Sequence, residues 1–314
     1  MTSGGPMSVF LRVLLSAAAL GLAAAPAAAQ DSPQPSDAAD ILVTGQNVDD
    51  QIKDFVGALT QAPPRGQLSR FETKVCPTAF GLQPGQRDAV LARMRVVAKA
   101  AGLDVGKPGC IPNILLIVTP NKRAFIEALD RKYDFYFGEM SNGDVRRLAR
   151  SPGPAAVWQV QGPELTGDGD EASHSGDGAL PGADYAVNRT TRPQSRVSAS
   201  GRPQFQAAAV VIEQGALDGL TTIQLADYAA MRAFARTDPA KLPASSPATI
   251  LKVLETPMGS PVPLTLTKWD LSFLKGLYAA TGNLYATSQR SEIKERIERD
   301  LKGEAAESPK RRKK

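Results

Sequence analysis

At 314 residues, with 42% hydrophobic and 22% charged side chains, the chain is long enough for one large domain or two small ones, with a sizeable core. The formal charge is +5, but Arg12 sits in an apolar N-terminal run and Lys310, Arg311, Arg312, Lys313 and Lys314 close the chain. The body between them is nearly neutral, which argues against a nucleic-acid surface, since that needs Lys and Arg gathered on a folded face. A single histidine, His174, leaves little room for imidazole chemistry.

From Met7 the chain passes through Arg12 and an Ala/Leu-rich stretch to Ala27, Ala28 and Ala29 before Gln30. One positive charge, a short apolar region and small residues at the exit are what signal peptidase accepts, so residues 1–29 read as a signal peptide. A membrane anchor would need about twenty apolar residues without that exit. No Cys follows the apolar region, so a lipid anchor is not expected. The mature protein is expected to start at Gln30, in the periplasm or the medium, with no transmembrane segment. Residues 30–40 (QDSPQPSDAAD) read as a flexible leader, and residues 41–302 as one globular domain. Within it, ILVTG at 41–45 reads as a short edge strand; DILVTGQ also resembles the TonB box of outer-membrane receptors. Val48 to Leu59 predicts a helix with Ile52, Phe55, Val56 and Leu59 on one side.

Cys76 and Cys110 are the only cysteines, and an oxidising compartment favours their pairing. Without CxxC spacing or a His cluster, a redox or metal pair is not indicated. Between them Gln86 to Ala101 carries Val90, Met94, Val97, Ala98 and Ala101 at helical spacing, closed by Gly102. NILLIVT at 113–119 reads as a buried strand, Lys122 to Lys132 as a helix, Ser141 or Asn142 as the cap of another, and AAVWQVQ at 155–161 as a strand.

Residues 163–204 break every period. Glu164 to Asp184 holds six acids and no Lys or Arg, and Arg189, Arg192, Arg196 and Arg202 follow. The stretch is expected to be a disordered insertion. DGDEASHSGDG departs from the calcium-loop pattern at Ala172 and lacks the distal Glu. Phe205 to Gln214 resumes a strand. Thr221 or Thr222 caps a helix carrying Leu225, Tyr228, Ala229 and Phe234, and Pro247 is expected to open another through Ile250, Leu251 and Leu254. Thr267 and Asp270 stand at capping-box spacing ahead of Leu271, Leu274, Leu277 and Tyr278. Ser288 to Leu301 predicts a last helix, with Glu292/Arg296 and Glu295/Arg299 as exposed pairs. Residues 303–314 read as a basic disordered tail, a place for weak contact with an anionic surface. The sum is an α/β or α+β fold, a mixed sheet with packed helices and a helical C-terminal third.

LTKWDLSFLKGLY resembles the closing helix of metzincin zinc proteases, and the chain as a whole resembles a family of secreted alphaproteobacterial proteins. The first resemblance implies a zincin-like scaffold, with LADYAAMRAF in place of the metal-binding helix. Zinc there requires two imidazoles one turn apart and a Glu base; Asp227, Met231 and Tyr228 occupy those positions. No metal and no other cofactor is therefore expected. Ser-His-Asp and Cys-His catalysis would both need His174 as base, and no phosphate-binding glycine motif is present.

These observations favour an exported, non-catalytic envelope or binding protein, in the form of a metal-free zincin-like pseudoenzyme. Asp227, Tyr228 and Arg232 are the candidate contacts to a small polar ligand or an envelope protein. The alternative is a hydrolase of cell-wall glycan or peptide that works through carboxylates among Asp218, Asp227, Asp238, Glu255 and Asp270.

Overall fold

Among the described residues the chain forms seven α-helices and eight strands, most of the helices and the longer strands following from local signals in the sequence. In the computed structural model, residues 47–60, 66–171, 173–175, 185–187, 190–191, 195–196, 198–257 and 259–303 are described. They all fall within one compact unit, 32–314. The expected signal peptide and leader, the strand expected at 41–45 and all but the first residue of the expected basic tail lie outside the described residues.

Helix α1 (Val48–Leu59) buries Ile52, Phe55, Val56 and Leu59, the expected stripe. Strand β1 (Pro77–Phe80) and α2 (Pro84–Ala101) follow, the latter opened by Pro84 and closed by Gly102 at φ 93°, a left-handed position that favours glycine. Then come β2 (Ile114–Thr119) and α3 (Lys122–Tyr133), whose first turn is capped by the Asn121 side chain. Helix α4 (Asn142–Ala149) starts from a capping box between Ser141 and Asp144, and β3 (Ala155–Gln161) follows it.

The insertion departs from expectation. Where described, it forms short paired strands: β4 (Leu165–Thr166) with β7 (Gly201–Arg202), and β5 (Ser173–Ser175) with β6 (Tyr185–Val187). Leu165 and Thr166 are buried, and the Ala199 N–H donates to Asn283 O at 2.8 Å. Strands of two or three residues are too short to leave a period in the sequence, so the packed ends of the segment could not be read there.

Strand β8 (Phe205–Glu213) is central. The sheet order is β1-β2-β8-β3, with β1/β2 and β2/β8 parallel and β3/β8 antiparallel. Both faces are covered, as a largely parallel sheet requires. Ile114, Leu116, Ala208, Val210 and Ile212 point into the larger core, under α2 and α5 (Thr222–Phe234). Ile117, Ala209, Val211, Ala156 and Trp158 point into the smaller one, with Ile126 of α3 and Val145 of α4. Burying a Val, Leu or Ile side chain is worth about 1.5–3 kcal/mol, so the alternation fixes the register of the central strands.

The C-terminal third is helical: α6 (Lys268–Ala279) and α7 (Ala286–Leu301) pack together. A Cβ on Gly276 would stand 3.0 Å from Ile293 Cα, so the glycine allows this close approach. Two local expectations fail here. Residues after Pro247 form only a 3-10 turn, Ile250–Lys252, because the Thr249 hydroxyl accepts from the Leu251 N–H and the Ile250 N–H is taken by Asp270. On α7, Arg296 pairs with Asp300 at 3.0 Å and Lys294 with Glu298 at 3.7 Å, while Glu292 accepts from the Thr281 backbone and hydroxyl across the α6–α7 turn.

The expected Cys76–Cys110 disulfide is formed, spanning 34 residues and linking the approach to β1 with the loop before β2. Closing a loop of this length contributes about 3–4 kcal/mol. The Cys76→Ser/Cys110→Ser variant is expected to lose about that much stability in urea titration, and an unchanged midpoint would show that the bridge adds nothing.

Candidate functional site

Helix α5 lies on the larger face of the sheet, with Ile223 of its first turn exposed but Asp227, Tyr228 and Met231 all buried. Asp227 therefore faces no cleft. Its Oδ1 accepts from Arg93 Nε at 2.7 Å, and its Oδ2 from Arg93 Nη2 at 3.0 Å, the Thr265 hydroxyl at 2.6 Å and the Leu266 N–H at 2.8 Å. Removing a carboxylate and a guanidinium from water costs several kcal/mol per ion, which only this kind of bidentate, fully hydrogen-bonded geometry offsets. Asp227, expected as a ligand contact, is an internal tie here, both of its oxygens engaged by Arg93, Thr265 and Leu266.

Tyr228 and Arg232 do come together. The Arg232 guanidinium stands 5.8 Å from the Tyr228 ring centroid. Burial pushes the Tyr228 hydroxyl above its ordinary pKa, with Arg232 pulling it down and Glu255 pushing it further up. Arg232 Nε is buried without a hydrogen-bond partner among the described residues. The pair is separated from Asp227, which turns toward Arg93 of α2 instead. Met231, the second position where a zinc site needs imidazole, belongs to the larger core.

The carboxylates proposed for hydrolysis are dispersed in role. Asp270 is fully buried and accepts from the Thr249 hydroxyl at 2.5 Å, the Ile250 N–H at 2.9 Å, and the Thr267 N–H and hydroxyl, each at 3.0 Å. Burial raises its pKa to about 6, against the pull of those four bonds. Asp238 caps the 3-10 turn Pro239–Lys241, while Asp218 and Glu255 are exposed. Among the described residues no group of three His, Cys, Asp or Glu side chains converges as a metal site would need.

A buried lysine was not foreseen. Lys122, first residue of α3, donates its ammonium to Ser151 O and Gly153 O, both at 2.7 Å, and to the Ser151 hydroxyl at 3.4 Å. Burial lowers its pKa, while nearby Glu213 raises it. The cluster sits at the carboxyl ends of β2 and β8, where α/β sheets often bind ligands. Here the ammonium instead ties down the 151–153 loop. Its sequence signal was a cation at a helix start, where the dipole disfavours one.

The open, charged surface lies elsewhere. An open groove runs between α1, α7 and the 239–241 turn, lined by Lys53, Lys241, Arg290 and Lys294 with Asp54 the one lining carboxylate. Val56, Ala58 and Pro243 supply apolar wall. Arg290 is held in place by Thr60, its Nε donating to the hydroxyl at 2.8 Å and its Nη2 to the carbonyl at 3.1 Å. Lys252 adds a fifth cation at the rim, its Nζ donating to Pro243 O at 3.2 Å. These residues are scattered from 53 to 294, so no run of charge betrayed them in the sequence.

No family model, curated protein or solved structure matches this chain.

Two variants test the internal carboxylates. Asp227→Ala leaves Arg93 facing a buried void and is expected to cost about 3–5 kcal/mol in chemical denaturation; a cost below about 1 kcal/mol would place the pair among weak surface bridges. Asp270 behaves differently with pH. Native Asp270 holds its proton to higher pH than the unfolded chain, so its contribution to stability falls as pH rises from about 4 through about 6. The stability of the wild type relative to Asp270→Asn should therefore drop by roughly 3 kcal/mol between pH 4 and pH 7. A pH-independent difference would contradict the raised pKa.

Proposed function

We propose that this chain is an exported, non-catalytic envelope protein that holds an anionic ligand in the groove between α1 and α7. Export rests on the signal-like residues 1–29, and the disulfide is compatible with an oxidising, periplasmic or extracellular setting. No helix of the described residues is long and apolar enough to cross a membrane.

One observation carries the ligand class: four cations and one carboxylate line the groove, only Lys294 among those cations being paired with a described carboxylate, Glu298, on a chain whose body is nearly neutral. Lys53 and Lys241 make no ion pair with any described residue, and their compact ammonium heads suit phosphate or carboxylate oxygens. The apolar wall adds a surface for the non-ionic part of such a ligand. The enclosure of Asp227 and Asp270 favours binding over carboxylate hydrolysis. The metzincin-like motif at residues 266–278 supports a scaffold that has lost its metal, with Asp227 and Met231 in place of imidazoles.

Calorimetric titration with inorganic polyphosphate, set against neutral dextran, tests the reading. Binding to the anion only, weakening as salt screens it, is expected. Lys53→Glu/Lys241→Glu should reduce affinity roughly tenfold, taking each exposed pair at the weak end of the usual range. Indifference to charge reversal, or equal affinity for dextran, would overturn it.

A further inference from the structure

Strand β3 is an edge strand. One side pairs with β8 from Ala155↔Ile212 to Gln161↔Phe205, and the other makes no backbone hydrogen bond to any described residue. Natural edges are blunted by Lys, Pro, inward charges or bulges. AAVWQVQ contains no charge and no Pro, and its single irregularity falls at the last step, between Val160 and Gln161.

Beside this edge is an exposed aromatic patch. Tyr133, Phe135 and Tyr136 are 44%, 66% and 43% exposed, and their ring centroids lie 4.4 to 6.3 Å from one another. Patch and strand are contiguous: Trp158 Nε1 donates to Tyr136 O at 2.9 Å, Phe137 stacks on Trp158 at 5.0 Å, and a Cβ on Gly138 would stand 2.9 Å from Val160 Cγ1. Large exposed aromatics gathered on one patch mark contact surfaces rather than ordinary solvent-facing surface.

We propose that β3 pairs antiparallel with β3 of a second copy, joining two four-stranded sheets into one, with the aromatic patches closing beside the joint. The strand is self-complementary. Every antiparallel register of AAVWQVQ against itself sets only Ala, Val, Trp and Gln side by side, so no like charges meet, as a two-fold interface demands. Half-exposed rings of 150–250 Å² each and one strand edge per copy bury on the order of 1,000 Å² in total, the lower bound for a specific interface. The dimer is therefore weak, with a dissociation constant on the order of micromolar. This surface is separate from the basic groove and does not depend on a ligand there.

Sedimentation velocity on the mature protein should show reversible dimerisation over roughly 1–100 μM, the range that such an area implies. Hydrogen exchange at the two ends of that range should show those amides of 155–161 that point away from β8 protected only at high concentration. Phe135→Lys changes an exposed side chain; it should weaken the dimer at least tenfold with an unchanged melt. A monomer throughout the range overturns the proposal. So does a dimer whose 155–161 exchange is independent of concentration and whose affinity survives Phe135→Lys, since another face would then be in contact.

Discussion

The helical layer of this protein depends on the ion pair between Arg93 and Asp227. α2 and α5 both cover the larger sheet face, and the bidentate contact links them at a point where the Asp227 side chain is fully buried. The same carboxylate also accepts from Thr265 and the Leu266 N–H, which fixes the strand-like approach to α6. Four residues beyond Leu266, Asp270 completes the capping box of α6 with Thr267 and reaches back to Thr249 and Ile250. Two buried carboxylates thus tie α2, α5, the 249–252 turn and α6 into one assembly. Such groups are costly when unpaired and directional when paired, so they select one arrangement of helices where apolar packing alone would tolerate several.

This internal use of acids shapes the outer surface. Asp227, Asp270, Glu292 and Glu213 are engaged with backbone or cationic partners inside or at element junctions. Of the groove cations Lys294 is paired with Glu298, while Lys53 and Lys241 make no ion pair with any described residue, so cations outnumber carboxylates in the lining. The buried cations follow the opposite rule: Lys122 spends its ammonium on loop carbonyls, and Arg70 donates to Leu277 O and Ala280 O at the end of α6, where helix carbonyls lack partners. Charge on this molecule is interpretable only after its partners are known.

The sheet has a similar division. Its centre is fixed by two covered faces, but its β3 margin carries apolar side chains and an aromatic patch without the charges that ordinarily blunt an edge. The groove and this margin are the two surfaces on which we propose contacts with other molecules. α5, which the sequence placed at the centre of attention, is the most enclosed of the helices and serves the scaffold.

What the sequence by itself determined was local. Helical spacing gave α1, α2, α3 and α7 nearly residue for residue, runs such as NILLIVT gave β2, β3 and β8, and hydroxyl-to-carboxylate spacing gave the Thr267–Asp270 capping box, because these signals arise between neighbours a turn or less apart. The two cysteines gave the disulfide by count alone. Tertiary structure decided everything that joins distant residues: that Asp227 meets Arg93, 134 positions away, that the ends of the 163–204 segment pack, and that Lys53, Lys241, Arg290 and Lys294 share one groove. A carboxylate on a helix reads the same whether it faces solvent, a ligand or an arginine. Only the burial of its surroundings, set by which elements pack against that helix, tells these roles apart.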